Sequence, residues 1–294
     1  MLRLVRYVDA PPETVLESWL DGERLGRWLF RTPGGIIKTV EVDSRDGGEF
    51  TIIETRGSID AAHYGSFRVI EPPKRIAFGF SVTRDQAPSE VTATFASQGE
   101  GTLVTLTHAV EPQWAEYAGM ILQGWSRMLA SLSAQLALVG TRALGVDAII
   151  AAPSSKVWRA WTEPGALTGW WGGVAVTRPT VERMDVRPGG GFRLRIAPGA
   201  GPVLTVTGTY REVETGKRLV YDDVCEADGE PFYEELLEAT FVSLGAKRTR
   251  LKVRAPLAPA MLKQPAAALD DLSIGWARGW ADNLDALTAQ LEAD

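Results

Sequence analysis

Two hydrophobic rhythms alternate along this chain, and the alternation occurs twice. Apolar residues recur every three or four positions near residues 12–29. They do so again in a longer stretch: Trp114, Ala118, Ile121, Trp125, Met128, Leu132 and Leu136. The longer stripe predicts an amphipathic helix of about six turns. Between the two, apolar-polar alternation predicts strands at 36–43, 47–56, 59–70, 75–83, 89–97 and 102–109. Turn signals separate them at Asp46-Gly47-Gly48, Pro72-Pro73, Pro88 and Gly99-Glu100-Gly101. The opening LRLVRYV reads as a further strand. Pro12 suits a first helical turn, and Val15, Leu16 and Trp19 form the buried stripe of a short helix.

The same order returns in the second half. Pro11, Val15, Trp19, Leu25 and Trp28 match Pro153, Val157, Trp161, Leu167 and Trp170 at a constant offset of 142. The offset is 143 at 65–78 against 208–221, 146 at 93–95 against 239–241, and 151 at Gly124-Trp125 against Gly275-Trp276. Offsets that only grow mean a duplication with small loop insertions. Leu269, Leu272, Trp276, Trp280, Leu284, Leu287 and Leu291 form the second closing stripe. The expected fold is α+β, with domains at 1–142 and 143–294. Each is a curved antiparallel sheet wrapped around a long C-terminal helix, with two short helices after the first strand.

Composition narrows the function classes. Thirty-one basic and 37 acidic side chains give a net charge of −6. A nucleic-acid footprint would be basic, so no nucleic-acid partner is expected. No apolar run approaches the ~20 residues of a membrane helix, so no membrane insertion is expected. The single Cys225 excludes an intramolecular disulfide, and with only His63 and His108 no metal site is expected. The first residues carry no apolar signal region, and a cytoplasmic location is the expectation. Ten tryptophans are many, and that much indole must fill a core or line an apolar cavity.

The motifs then converge. Ala10-Pro11, Trp19, Leu25, Trp28, Asp43, Arg45, Gly47-Gly48, Phe50 and Pro72-Pro73-Lys74-Arg75 recur as Ala152-Pro153, Trp161, Leu167, Trp170-Trp171, Asp185, Arg187, Gly189-Gly190 and Phe192. Leu29 stands where the second repeat has Trp171, and Thr215-Gly216 replaces the Pro-Pro pair. This pattern resembles the activator-of-heat-shock-protein-ATPase-like branch of the SRPBCC superfamily, whose fold is the helix-grip. The resemblance implies a cavity between sheet and long helix that holds small apolar or amphipathic ligands. It implies no catalytic residue and no cofactor, because the branch shares no catalytic motif.

Several residues are candidates for lining such a cavity. Trp28, Trp170 and Trp171 either gate a pocket mouth or pin the short helices to the sheet. Trp125 and Trp276 sit on the packed face of the long helices, and Tyr221 lies on a central strand. The Gly47-Gly48 and Gly189-Gly190 pairs precede strands rather than helices, so they read as turns and not as phosphate loops. Alternation places Phe192, Leu194 and Ile196 inward in the second repeat. Transferred to the first, it places Phe50, Ile52, Glu54 and Arg56 inward, with His63 and His108 on the same face. The second-repeat counterparts of Glu54, Arg56, His63 and His108 are Ile196, Pro198, Val206 and Ala255. Four inward polar groups predict a partnered cluster or a wet pocket mouth in the first repeat and a drier pocket in the second. The alternative is that the strand ends splay into solvent. A His beside Glu54, with a pKa near neutrality, would be a general base. Three classes therefore stay open: a binding protein for a small apolar or amphipathic molecule, a partner-binding or chaperone-associated protein, and an enzyme working in the first pocket.

Overall fold

The computed structural model describes residues 1–173, 178–197 and 201–293. The chain divides into two compact units, Met1–Thr141 with Ala260–Arg278, and Arg142–Pro259 with the chain from Gly279 on. Residues Ala260–Arg278 thus group with the first unit, although the repeat pattern aligns them with the closing segment of the second.

The first unit begins with β1 (Leu2–Val8), α1 (Pro12–Leu20) and α2 (Gly22–Leu25). It continues through β2 (Ile36–Val42), β3 (Glu49–Arg56), β4 (Ile59–Glu71), β5 (Arg75–Ser81), β6 (Ser89–Gln98) and β7 (Gly101–Ala109). A short 3-10 helix, Pro112–Tyr117, leads into α3 (Ala118–Thr141). Trp114 therefore lies before the long helix, and it is exposed rather than part of its packed stripe. The strands pair antiparallel in the order β2-β3-β4-β5-β6-β7-β1. α1 starts with Pro12 and Glu13 in its first turn, where a missing N–H costs nothing and an acidic group meets the positive helix end.

The second unit repeats the plan: β8 (Ala143–Ile150), α4 (Ser154–Thr162), α5 (Pro164–Leu167), β9 (Thr180–Met184), β10 (Gly191–Ile196), β11 (Leu204–Glu214), β12 (Arg218–Ala227), β13 (Glu230–Ser243) and β14 (Thr249–Pro256). Its order is β8-β14-β13-β12-β11-β10-β9. The last helix, α6, runs Ala266–Ala293.

Each core is an aromatic cluster with one indole at its centre. Trp19 meets Trp28 edge-on at 4.7 Å and stacks on Trp125 at 6.4 Å. Trp161 meets Trp170 at 5.0 Å and stacks on Trp280 at 5.7 Å. Trp280, not Trp276, is thus the structural counterpart of Trp125. The same register aligns Leu129, Leu132 and Leu136 with Leu284, Leu287 and Leu291. The shared Gly-Trp dipeptide is therefore one helical turn out of structural phase.

Trp28 and Trp170 are as deeply buried as Trp19 and Trp161. Their indole N–H groups donate to the backbone oxygens of Ser18 (3.0 Å) and Ala160 (2.9 Å), which tie the second short helix to the first. They act as core pins and do not stand at a pocket mouth. Replacing any of Trp19, Trp28, Trp161 or Trp170 with Ala is expected to cost ~3–5 kcal/mol. Urea denaturation of the four variants checks this, and a markedly smaller loss at Trp28 and Trp170 would return them to the rim.

Candidate functional site

A cavity of about 360 Å³ opens in the first unit between the sheet and α3. Its floor and walls are Phe30, Phe80, Ile121, Trp125 and Met128, and Val82, Trp114 and Tyr117 frame the opening. Ser81, Gln86, Ser89, His108 and Glu111 are its polar lining residues. Of the candidates read from the sequence, His108 and Trp125 line this cavity. Phe50 packs in the core against Phe67 and Phe78, away from it.

Phe30 is the residue the periodicity did not reveal. It sits at φ 57°, in the left-handed region that side-chain-bearing residues avoid. At the aligned position the second repeat has Gly172, at φ 94°, where the conformation carries no Cβ penalty. An aromatic opposite a glycine was the available signal. Phe30 stacks on His63 at 4.2 Å with rings 2° apart, and on Phe80 at 4.9 Å. Its N–H points at the Met128 sulfur, 3.2 Å away.

Glu54 holds that loop. Its carboxylate is fully buried and accepts hydrogen bonds from the Thr32 N–H (2.5 Å) and hydroxyl (2.9 Å). Arg56 pairs with the same carboxylate and donates to the Phe30 carbonyl at 3.0 Å. Gly35 lies against the carboxylate so closely that a Cβ there would collide with it. Arg31, next in the loop, pairs with Asp270 (3.3 Å) and Asp271 (3.0 Å). The inward phase of Glu54 and His63 is as alternation predicts. Arg56 is half-exposed at the strand end, and its head folds back to Glu54 instead of entering the interior.

The histidines are engaged or starved of solvent. The Trp125 indole N–H donates to His108 Nδ1 at 3.1 Å, so His108 carries its proton on Nε2. Nε2 then donates to the Ser89 hydroxyl at 2.7 Å, and Ser89 donates to the Phe80 carbonyl at 3.2 Å. Burial lowers the His108 pKa to about 4. His63 also falls to about 4, through burial first and then the positive charge of Arg56, against smaller opposing effects of Glu54 and of the Ile52 backbone. Both rings are neutral at pH 7. The expected pKa near neutrality and the His–Glu54 base pair are not found, because Glu54 is committed to Thr32 and Arg56.

The second unit differs from its expected dry pocket. Among the described residues, Trp161, Trp171, Phe192, Tyr210 and Tyr221 pack around a void of only about 10 Å³. Ile196, Val206 and Ala255 are buried and apolar, as aligned, while Pro198 lies outside the described residues. Trp276 is half-buried, in the part of α6 that groups with the first unit. The interior is not free of ionisable groups. Asp223, aligned with Phe80, is buried, and Oδ1 has no partner. Burial, then the charges of Glu235 and Asp222, hold its pKa far above the carboxylate range. The apolar substitutions at four positions gave no hint of this fifth one. Among the described residues, no three His, Cys, Asp or Glu side chains are arranged to hold a metal ion. No helix among them is long and apolar enough to cross a membrane.

Comparison with known proteins decides the family. The family described as Activator of Hsp90 ATPase homolog 1-like protein matches at residues 9–137 and again at 151–292. The chain belongs to this family, in two tandem copies. The Activator of Hsp90 ATPase homolog 1-like chain is also similar to solved bacterial structures. Protein CV1439 from Chromobacterium violaceum is 24% identical over 52% of this chain and 99% of its own, with a TM-score of 0.40. A protein from Arthrobacter aurescens is 19% identical over 53% of this chain and 89% of its own, with a TM-score of 0.45. DynU16, from the dynemicin biosynthetic locus, is 15% identical over 98% of this chain and 97% of its own, with a TM-score of 0.38. No curated protein matches the chain.

The buried ionisable groups give the two copies of this family fold opposite pH responses. A histidine of the unfolded chain titrates near 6.5, but His63 and His108 titrate near 4 in the fold. Between those values the unfolded chain binds more protons. Their stabilisation is complete above about pH 6.5 and is lost as pH falls toward 4. Asp223 has the reverse sign. Its raised pKa gives stability that is complete below the ordinary carboxylate range and is lost as pH rises through neutrality. Thermal denaturation across pH checks both. His63→Leu with His108→Gln should flatten the acid side only, and Asp223→Asn the alkaline side only.

Proposed function

We propose that this chain binds a small apolar or amphipathic molecule in the cavity of its first unit. The cavity itself carries the reading. Its volume of about 360 Å³ lies in the range of small-molecule sites, and its walls are aromatic and aliphatic with a few polar atoms at one side. The polar atoms of His108 and Ser89 already satisfy one another, so recognition falls mainly to apolar contact and shape. The second unit, with its interior filled by side chains, takes no ligand of this size and serves as a companion domain.

The family fold supports the reading, since it commonly holds hydrophobic ligands. The alternative of a protein partner draws on exposed apolar side chains. Val82, Trp114 and Tyr117 are exposed, but they frame this same cavity, so their apolar surface belongs to its mouth. General-base catalysis finds no support in His108, whose two ring nitrogens are both engaged. A single buried cysteine is in keeping with a cytoplasmic location.

Naphthalene titrated into the full chain should quench tryptophan emission with one-to-one stoichiometry. Gly124→Phe is the decisive variant. Gly124 lines the cavity from α3, and a Cβ there meets no atom within 4 Å. The added ring should fill the space and abolish binding. The helix should be no less stable, because glycine is a poor interior helix residue. Unchanged binding in Gly124→Phe would place the ligand elsewhere.

A further inference from the structure

Beside the cavity of the first unit lies a buried imidazole, covered by two of the cavity's own wall residues, Phe30 and Phe80. His63 is 8% exposed, and its Nδ1 is buried without a hydrogen-bond partner. Buried polar atoms of this kind are uncommon in folded proteins, and each calls for a reason. One face of the imidazole is covered by the Phe30 ring, at 4.2 Å and nearly parallel. Phe30 also stacks on Phe80, and Phe30 and Phe80 are both walls of the cavity. His63 lies 6.2 Å from Phe80 as well, so the two wall rings and the imidazole form one stacked cluster in which Phe30 is the nearer cover.

The backbone beneath Phe30 is strained. At φ 57° a phenylalanine is held against its own preference, and such outliers persist only where surrounding contacts impose them. Those contacts are Arg56 on the Phe30 carbonyl, Glu54 on Thr32, and Asp270 and Asp271 on Arg31. They fix the backbone on both sides of the ring and leave the ring itself held only by stacking. The second unit has Gly172 at this position, so the fold does not need an aromatic there.

We propose that Phe30 is a gate between the cavity and a polar subsite at His63, and that a neutral hydroxyl or N–H donor on the ligand enters that subsite and pairs with His63 Nδ1. The proposal rests on the cavity reading and extends it to the ligand's chemistry. Rotation of Phe30 about its side-chain bonds uncovers the imidazole face and lets the ring turn its edge toward the cavity. His63 is neutral at pH 7 and does not attract a carboxylate or phosphate; in the tautomer with its proton on Nε2, Nδ1 accepts a hydrogen bond there. The ligand is then amphipathic in a defined sense: an apolar body against Trp125, Ile121 and Met128, and one uncharged donor reaching past Phe30.

Naphthalene and 2-naphthol, which differ by one hydroxyl, test this on the full chain. A hydroxyl buried without a partner weakens binding, so the sign of the difference is informative. The expected result is that 2-naphthol binds about threefold or more tightly than naphthalene, the usual worth of one net hydrogen bond. His63→Leu should reverse that order and leave naphthalene affinity within about twofold, since it keeps the apolar contact but removes the acceptor. Phe30→Ala should increase the preference for 2-naphthol, and only while His63 is present. In the unsubstituted chain, the nitrogen NMR signal of His63 Nδ1 should move on adding 2-naphthol and stay put with naphthalene. This last measurement needs no variant to fold. If both probes bind but His63→Leu leaves their order unchanged, or the Nδ1 signal does not move, the subsite is overturned and the cavity stands. If neither probe binds the unsubstituted chain, the cavity reading fails and the subsite fails with it.

Discussion

A fully buried carboxylate organises the first unit. Glu54 has no exposed surface, and an ionised carboxylate in that position must be matched by donors and an opposite charge. Thr32 supplies two donors and Arg56 the charge. Meeting that demand draws the loop after α2 onto the end of β3. The loop in turn sets the backbone of Phe30, and Phe30 sets one wall of the cavity. The polar requirement of a single side chain thus determines the shape of an apolar space.

The two units solve the same packing problem in opposite ways. Both centre on a tryptophan, Trp19 or Trp161, against a second indole pinned to the backbone of the preceding helix. Around that shared centre the interiors diverge. With Leu29 and Phe30 the first unit keeps open space under its long helix. With Trp171 and Gly172 the second fills it, and Trp171 reaches both Trp161 and Trp280. Duplication conserved the scaffold and left the interior surface to vary.

Buried titratable groups mark the same divergence. The first unit holds two neutral histidines, one bound into a Trp125–His108–Ser89 relay and one stacked under Phe30. The second holds Asp223, which burial and neighbouring negative charge keep protonated. In each case low solvation suppresses the charged form: the two histidines, at about 4, stay neutral at pH 7, while Asp223, at about 8, gives up its proton only just above neutrality.

Much of the architecture was legible in the residues. The growing offsets fixed the duplication, and the alternation placed Phe50, Ile52 and Glu54 on one inward face because strand periodicity is a local property of the backbone. The tryptophan stripes located both closing helices for the same reason. Other features depend on contacts distant in sequence, and the linear pattern does not encode them. Trp280 replaces Trp276 as the partner of Trp161 because packing sets the helix register, and it chooses Gly279-Trp280, the second of two Gly-Trp dipeptides one turn apart. Trp28 became a core pin rather than a rim residue because its indole N–H finds the Ser18 carbonyl. Arg56 left the interior because its long side chain could reach Glu54 from the strand end. Phe30 became a cavity wall, and Asp223 a buried acid, through the three-dimensional balance of burial against hydrogen bonding. The sequence by itself thus determined the repeat, the elements and their inward faces, which are local and periodic. Only the tertiary structure decided which interior stays open, because an open space is the sum of side chains brought together from β5, β6, β7, α3 and the loops around them.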